Sequence, residues 1–155
     1  QSLHSMIILI AHNIRSLWNI GAIFRTCDAL GVSHVHLTGY TATPPRPEIS
    51  KTALGAEEWI AWSSDPDPLS VIAKRRNEGY AIVGLELIKG SVELSQYKPD
   101  GPQCLIIGHE IVGVPKVILD ACDDLVSIPM RGKKESLNVA VAAGIALFEL
   151  SKKQV

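Results

Sequence analysis

Apolar and polar positions along this chain fall into short blocks that switch between strand-like and helix-like spacing. Met6 to Ala11 (Met-Ile-Ile-Leu-Ile-Ala) is an unbroken apolar run of strand length and predicts a buried strand. His12 to Leu17 reads as a loop. Asn19 reads as the N-cap of a helix whose apolar Ile20, Ile23, Phe24 and Cys27 recur at helical spacing until Gly31 stops it. Val35 to Leu37 predicts a second strand, and Gly39 to Pro47, with three prolines, a loop. Lys51 to Trp62 has room for a short helix, and Asp65-Pro66-Asp67-Pro68 initiates another from about Leu69 to Asn77. Tyr80 to Leu85 predicts a strand, Gly90 to Gly101 is mixed and turn-rich, and Leu105 to Ile107 is a strand ending at Gly108. Pro115 opens a helix that ends near Cys122, and Leu125 to Ile128 is the last strand. Ser136 then opens a last helix running to about Lys152. From Leu137 to Leu150 its only polar residues are Asn138 and Glu149.

Strands alternating with helices predict an α/β fold, a single domain with a mainly parallel sheet and helices on both faces. At 155 residues one compact domain with a real core is expected. A hydrophobic content of 46% and a charged content of 20% argue against disorder. The formal net charge is −1, so any nucleic-acid contact must come from local basic patches. Cys27, Cys104 and Cys122 are odd in number and lack metal-type spacing, which fits free thiols in a reducing cytoplasm. No apolar run approaches the roughly 20 residues of a membrane span, and no signal peptide is visible.

In open parallel sheets, ligands bind beyond the carboxyl ends of the strands. Three such ends carry unusual residues: Gly84-Leu85-Glu86, the segment from Gly108-His109-Glu110 to Gly113, and Ile128-Pro129-Met130. Glycine there permits close backbone approach to a ligand, and the apolar neighbours suit an adenine sandwich; taken alone, each segment reads more readily as ordinary strand-to-helix turn chemistry. Gly108 and Gly113 have phosphate-loop separation, but Val114-Pro115 replaces the Lys-Ser/Thr that holds phosphate and magnesium. The G-x-G-x-x-G dinucleotide fingerprint is also absent. Arg15 follows a strand, where its planar fork suits a phosphate. Arg25 sits mid-helix beside Phe24, and a half-buried arginine needs an acceptor. An ion pair with Glu110 or Asp28 is the structural alternative. Ser136 reads as an N-cap, while Asn138 in the first turn has an amide free for a ligand or a nearby turn. The five histidines show no metal pattern, Asp120, Asp123 and Asp124 read as a solvated helix end, and no metal is expected. Asn13, Arg15, Arg46, Arg131, Lys133 and Lys134 are the candidates for holding an RNA backbone, with Lys51 a further cation.

The order and spacing of these signals make a resemblance specific. Asn13 to Gly39 (NIRSLWNIGAIFRTCDALGVSHVHLTG) is similar to motif 1 of the SpoU/TrmH group of SPOUT RNA methyltransferases. Leu105 to Met130 (LIIGHEIVGVPKVILDACDDLVSIPM) resembles motif 2, and Ser136 to Glu149 (SLNVAVAAGIALFE) resembles motif 3. The resemblance implies a C-terminal part threaded into a deep trefoil knot, against the usual rule of unknotted chains. It implies one methyltransferase domain over residues 1–155, with the cofactor site within about 80–150. It implies S-adenosyl-L-methionine held by backbone groups at Leu85, Glu86, Gly108, Ile128, Met130 and Leu137. It also implies a homodimer whose interface uses the last helix and completes the active site.

The reaction implied is methyl transfer to a ribose 2′-hydroxyl of RNA, in which the hydroxyl loses its proton in line with the methyl group. By match to the motifs, Arg25, Asn19, Glu110, Ser136 and Asn138 are the catalytic set. The resemblance casts Arg25 as a general base. Because guanidinium is effectively always protonated, a role in binding phosphate and stabilising the developing alkoxide is physically easier. No appended RNA-binding domain is read in these residues. The reading favours a cytoplasmic enzyme acting on tRNA over rRNA. Its alternatives are a non-catalytic RNA-binding or ribosome-associated module, and a base or non-RNA methyltransferase on the same fold.

Overall fold

The computed structural model describes residues 7–153, so Met6 lies outside the described residues. The elements run β1 (Ile7–His12), α1 (Leu17–Leu30), β2 (His34–Thr38), α2 (Pro47–Ala53), β3 (Trp62–Asp65), α3 (Pro68–Asn77), β4 (Ala81–Leu85), β5 (Val92–Glu93), β6 (Gln103–Ile107), α4 (Lys116–Leu119), β7 (Asp124–Ser127) and α5 (Val139–Lys152). All seven strands form one parallel sheet in the order β3-β2-β1-β6-β4-β7-β5. Strand β6, late in the chain, lies between β1 and β4: Leu9 faces Leu105 and Val83 faces Leu105 from the other side. Because every strand runs the same way, all their carboxyl ends open on one edge of the sheet.

The period-2 alternation of the central strands divides the core into two layers. Ile7, Leu9, Ala11, Leu105 and Ile107 pack against Ile20, Ile23, Phe24 and Cys27 of α1 and against Ala143, Ala146, Leu147 and Leu150 of α5. Ile8, Ile10, Cys104 and Ile106 turn to the other face and meet Val71 and Ile72 of α3 and Ile118 of α4. Strands buried on both faces read as unbroken apolar runs, which is why β1, β4 and β6 stand out in the sequence.

Several boundaries differ from the sequence expectation. The N-cap of α1 is Ser16, whose hydroxyl accepts from the N–H of Asn19, so Asn19 lies inside the first turn. The chain ends α1 at Gly31 in the left-handed region, φ 74°, as its position predicts. The helix expected within Lys51 to Trp62 begins earlier, at Pro47; after Ala53 only a single turn of 3-10 helix follows, and Trp62 opens a strand. The helix after Pro115 is one turn, Lys116–Leu119. Ser136 and Leu137 precede the last helix, which Asn138 caps by accepting from the N–H groups of Ala140 and Val141 at 2.8 and 3.2 Å. Asp123 and Asp124 are not a solvated helix end. The Asp123 carboxylate accepts from the Ile82 N–H and pairs with Arg76, and Asp124 accepts from the Tyr97 hydroxyl.

The edge strand β3 escapes a hydrophobic reading because its polar side chains serve histidines of β2. His34 Nε2 lies 2.9 Å from the Ser63 hydroxyl, and His36 Nδ1 lies 2.8 Å from Asp65. Arg75 Nε donates to His36 Nε2 at 3.1 Å. Burial, with His36 and Arg75 beside it, pushes the His34 imidazole down to about 4.

Candidate active site

Strands β4, β6 and β7 end around one cavity of about 180 Å³. All six positions expected to hold a cofactor, Leu85, Glu86, Gly108, Ile128, Met130 and Leu137, lie on its wall, with Glu110 and Ser136. The hydrophobic wall also includes Ile107 and Val139, with Ala142 from the second turn of α5.

Gly108 is required by the chain itself. A Cβ there would lie 2.6 Å from the Gly113 carbonyl oxygen and 2.7 Å from the Val114 nitrogen. Close approach of the returning loop therefore requires this glycine, beside its place on the cavity wall. Gly84 likewise makes room for Cys122 and Leu125 rather than for a ligand. The loop closes as Gly113 N–H donates to the His109 carbonyl at 3.0 Å, while His109 Nδ1 accepts from the N–H groups of Ile111 and Val112 at 2.9 and 3.2 Å. Glu86 Oε1 accepts from the Val114 N–H at 2.8 Å. Gly113, at φ 74°, lies so close that a Cβ would fall 2.4 Å from the same oxygen. His109 and Gly113 carry this geometry and are missed as site residues by composition; the signal available in the sequence is the glycine pair bracketing the segment.

A second set of side chains forms a hydrogen-bonded chain beside the cavity. Glu110 Oε1 accepts from the Arg15 N–H at 2.9 Å, and Oε2 accepts from the Ser16 N–H at 2.8 Å and from Asn19 Nδ2 at 3.1 Å. Asn138 Nδ2 donates to Asn19 Oδ1 at 3.2 Å. The polarity is fixed from both ends. Asn138 uses its oxygen on the α5 cap, so its amide nitrogen must face Asn19, whose own nitrogen then faces a carboxylate that only accepts. Burial opposes ionisation of Glu110. The N–H groups of Arg15, Ser16 and Glu110 itself and the Asn19 amide outweigh it and hold the carboxyl below the usual range. The negative charge sits at the amino end of α1, where the helix dipole favours it.

Not every expected residue joins this set. Arg25 is exposed and makes no hydrogen bond or ion pair with another described residue. The partners of the alternative ion-pair reading are otherwise engaged: Glu110 as above, and Asp28 by the indole N–H of Trp59 at 2.9 Å. Seven residues separate Arg25 from exposed Trp18, two turns of one outward stripe, away from the cavity wall. Ser136 is exposed on the cavity rim. Asn13, at φ 55°, accepts the Tyr40 N–H at 3.0 Å, which ties together the loops after β1 and β2. Arg15, Arg46, Arg131, Lys133 and Lys134 are exposed, the last three in the loop that leads to the cavity rim.

The SpoU rRNA Methylase family matches residues 6–148 of this chain. A tRNA (guanosine(18)-2′-O)-methyltransferase of Aquifex aeolicus is 33% identical over 149 residues, covering 96% of this chain and 70% of the relative. A 23S rRNA (guanosine-2′-O-)-methyltransferase, RlmB of Vibrio parahaemolyticus, is 30% identical over 149 residues, and the chain spans 60% of its length. Among solved structures, the SpoU methyltransferase AviRb of Streptomyces viridochromogenes in complex with AdoMet superposes with a TM-score of 0.86 at 29% identity, covering 97% of this chain and 60% of that one. With a family match over residues 6–148 and a relative 33% identical over 149 residues, the chain belongs to the SpoU rRNA methylase family.

Proposed function

We propose that this chain is the catalytic domain of an S-adenosylmethionine-dependent RNA 2′-O-methyltransferase, with tRNA as its substrate. The observation that carries the reading is the gathering of Leu85, Glu86, Gly108, Ile128, Met130 and Leu137 on one cavity wall, with Glu110 and Ser136. The donor set fits the cofactor. Leu85, Ile128 and Leu137 offer apolar surface for adenine, strand ends offer backbone N–H and C=O groups, and carboxylates suit a cationic ligand. When bound, S-adenosylmethionine supplies an electrophilic methyl group. The residues 1–155 then form one methyltransferase domain, with the knotted cofactor site within about 80–150.

The chain's own groups divide the remaining work. Glu110, Asn19 and Asn138 fix the amino ends of α1 and α5 relative to the cavity. Ser136 on the rim is placed to hydrogen-bond an incoming ribose. Arg25, with its permanent charge, binds an RNA phosphate and stabilises the alkoxide that forms as the 2′-hydroxyl loses its proton. Arg15, Arg46, Arg131, Lys133 and Lys134 bind the RNA backbone.

Arg25 lies off its own protomer's cavity wall, which supports a homodimer that completes the site. The exposed face of α5 favours the same arrangement: Val141, Ile145 and Phe148 are 52%, 42% and 56% exposed and lie in one apolar groove with Ala22 and Thr26 of α1. No helix among the described residues is long and apolar enough to cross a membrane, and the reading places the enzyme in the cytoplasm with its RNA.

The test is transfer from labelled S-adenosylmethionine to unmodified tRNA and rRNA in separate reactions, for wild type and Arg25→Ala, with nucleoside digestion of the product. Label in 2′-O-methylated nucleosides of tRNA, lost in the variant, is the expected result. Label in rRNA alone overturns the substrate assignment, and label on bases overturns the reaction. Sedimentation of the same protein checks the dimer.

A further inference from the structure

The cavity wall carries charge of one sign. Among the described residues three carboxylates line it, Glu86, Glu110 and Glu135, and no lysine or arginine does. Their situations differ. Glu110 has both oxygens engaged by N–H donors at the amino end of α1. Glu135 lies in the exposed loop, where water screens it. Glu86 is half-buried where β4 ends, held through Oε1 by the Val114 N–H and pressed against Gly113. Its Oε2 has no hydrogen-bond partner among the described residues, and no cation neutralises it.

We infer that Glu86 is a specificity-determining residue that makes the site prefer the cationic methyl donor to its neutral product. The inference rests on the methyl-transfer reading above. S-adenosylmethionine carries a sulfonium and an ammonium against one carboxylate and is a net cation. S-adenosylhomocysteine has a neutral thioether in place of the sulfonium and no net charge. A fixed carboxylate without a cationic partner attracts the first and is nearly indifferent to the second. The wall therefore changes its affinity at the moment the methyl group leaves, which speeds clearance of product. A carboxylate that instead gripped the ribose hydroxyls would hold both ligands alike, since both carry the same ribose.

The experiment is calorimetric titration of wild type and Glu86→Gln with S-adenosylmethionine, S-adenosylhomocysteine and sinefungin, whose protonated amine replaces the methylsulfonium. Glutamine keeps an oxygen for the Val114 N–H and removes only the charge. The expected result is an approximately tenfold loss for the two cationic ligands, with the neutral one changed by less than about twofold. Equal weakening of all three ligands, or no change in any, overturns the inference. If wild type binds none of them, the methyl-transfer reading falls with it; if wild type binds all three and Glu86→Gln leaves their ratio unchanged, only the inference falls. Should the variant not fold, the wild-type protein decides through salt. Affinity for the cationic ligands must fall with ionic strength more steeply than affinity for S-adenosylhomocysteine, and equal slopes overturn the proposal.

Discussion

Glu110→Gln should destabilise the protein by about 2 kcal/mol at neutral pH, although the two side chains have almost the same shape. The carboxylate accepts three N–H groups, from Arg15 on one oxygen and from Ser16 and Asn19 on the other. Glutamine has one oxygen to offer. Its better orientation faces Ser16 and Asn19 and turns an NH2 group against the Arg15 N–H, donor against donor. One charge-assisted bond is lost, two are weakened, and the negative charge at the amino end of α1 disappears. A charge-assisted bond is worth roughly 1.5–3 kcal/mol, and the partial exposure of this site argues for the low end. The effect also has a pH signature. The folded protein holds the Glu110 carboxyl below its ordinary value of 4.5, so its contribution is fully present above pH 4.5 and is lost as pH falls through the lower, folded value. Urea unfolding of wild type and variant, in steps from pH 7 down to pH 3, should show a gap that closes on acidification. A gap at pH 7 below about 0.5 kcal/mol, or one that persists undiminished at pH 3, would refute the hydrogen-bond account.

Three further outcomes follow from the same geometry. Asn138→Ala removes the α5 cap and should cost about 1 kcal/mol in urea unfolding, whereas Asn138→Ser keeps the cap, loses the Asn19 tie, and should show reduced methyl transfer at near-wild-type stability. Gly108→Ala forces the returning Gly113-Val114 backbone outward; a stability loss of about 1–3 kcal/mol by urea unfolding should accompany loss of S-adenosylmethionine binding by calorimetry. His34, held neutral in the fold down to about 4, lets the unfolded chain take a proton that the native protein refuses. Stability should therefore decline by about 1–2 kcal/mol, allowing for partial exposure, as pH falls from 6.5 to 4, and His34→Gln should flatten that decline in thermal melts.

The central sheet was legible because β1, β4 and β6 are buried on both faces and the sequence needs no alternation there. Edge strands lack that pressure. Trp62–Asp65 is half polar, its Ser63 and Asp65 serving the β2 histidines, and Val92–Glu93 is too short to show any period. The cofactor wall was legible because it follows the ends of recognisable strands, whereas the polar network was legible only as a list of residues. Nothing local in the sequence says that Glu110 will accept N–H groups of Arg15 and Ser16, which lie at the far end of the chain. That same distant contact occupies Glu110, one of the two partners of the alternative ion-pair reading of Arg25, while the Trp59 indole N–H occupies Asp28, the other. Asn138 reads as a first-turn residue because Ser136 is an equally good cap by type; in the fold the Asn138 oxygen caps α5 while its amide nitrogen donates to Asn19, a contact from the other end of the chain.

The insertion of β6 between β1 and β4 also shapes how the molecule is made. Synthesis lays down β1, β2 and β3 first and β4 later, yet neither β1 nor β4 has its inner neighbour until Gln103–Ile107 arrives. A nascent chain that stops short of β6 therefore presents three open strand edges, one of β1 and both of β4, whose second neighbour β7 comes later still, on segments that are almost wholly buried in the finished protein. Such edges invite pairing with other chains, and closing them across so long a stretch of sequence is slow. The half-made polypeptide is the form of this protein with the most strand edge open to such pairing. The cavity draws its walls from the ends of β4, β6 and β7 and from a helix made after all three, so the binding site is complete only once Val139 and Ala142 are in place.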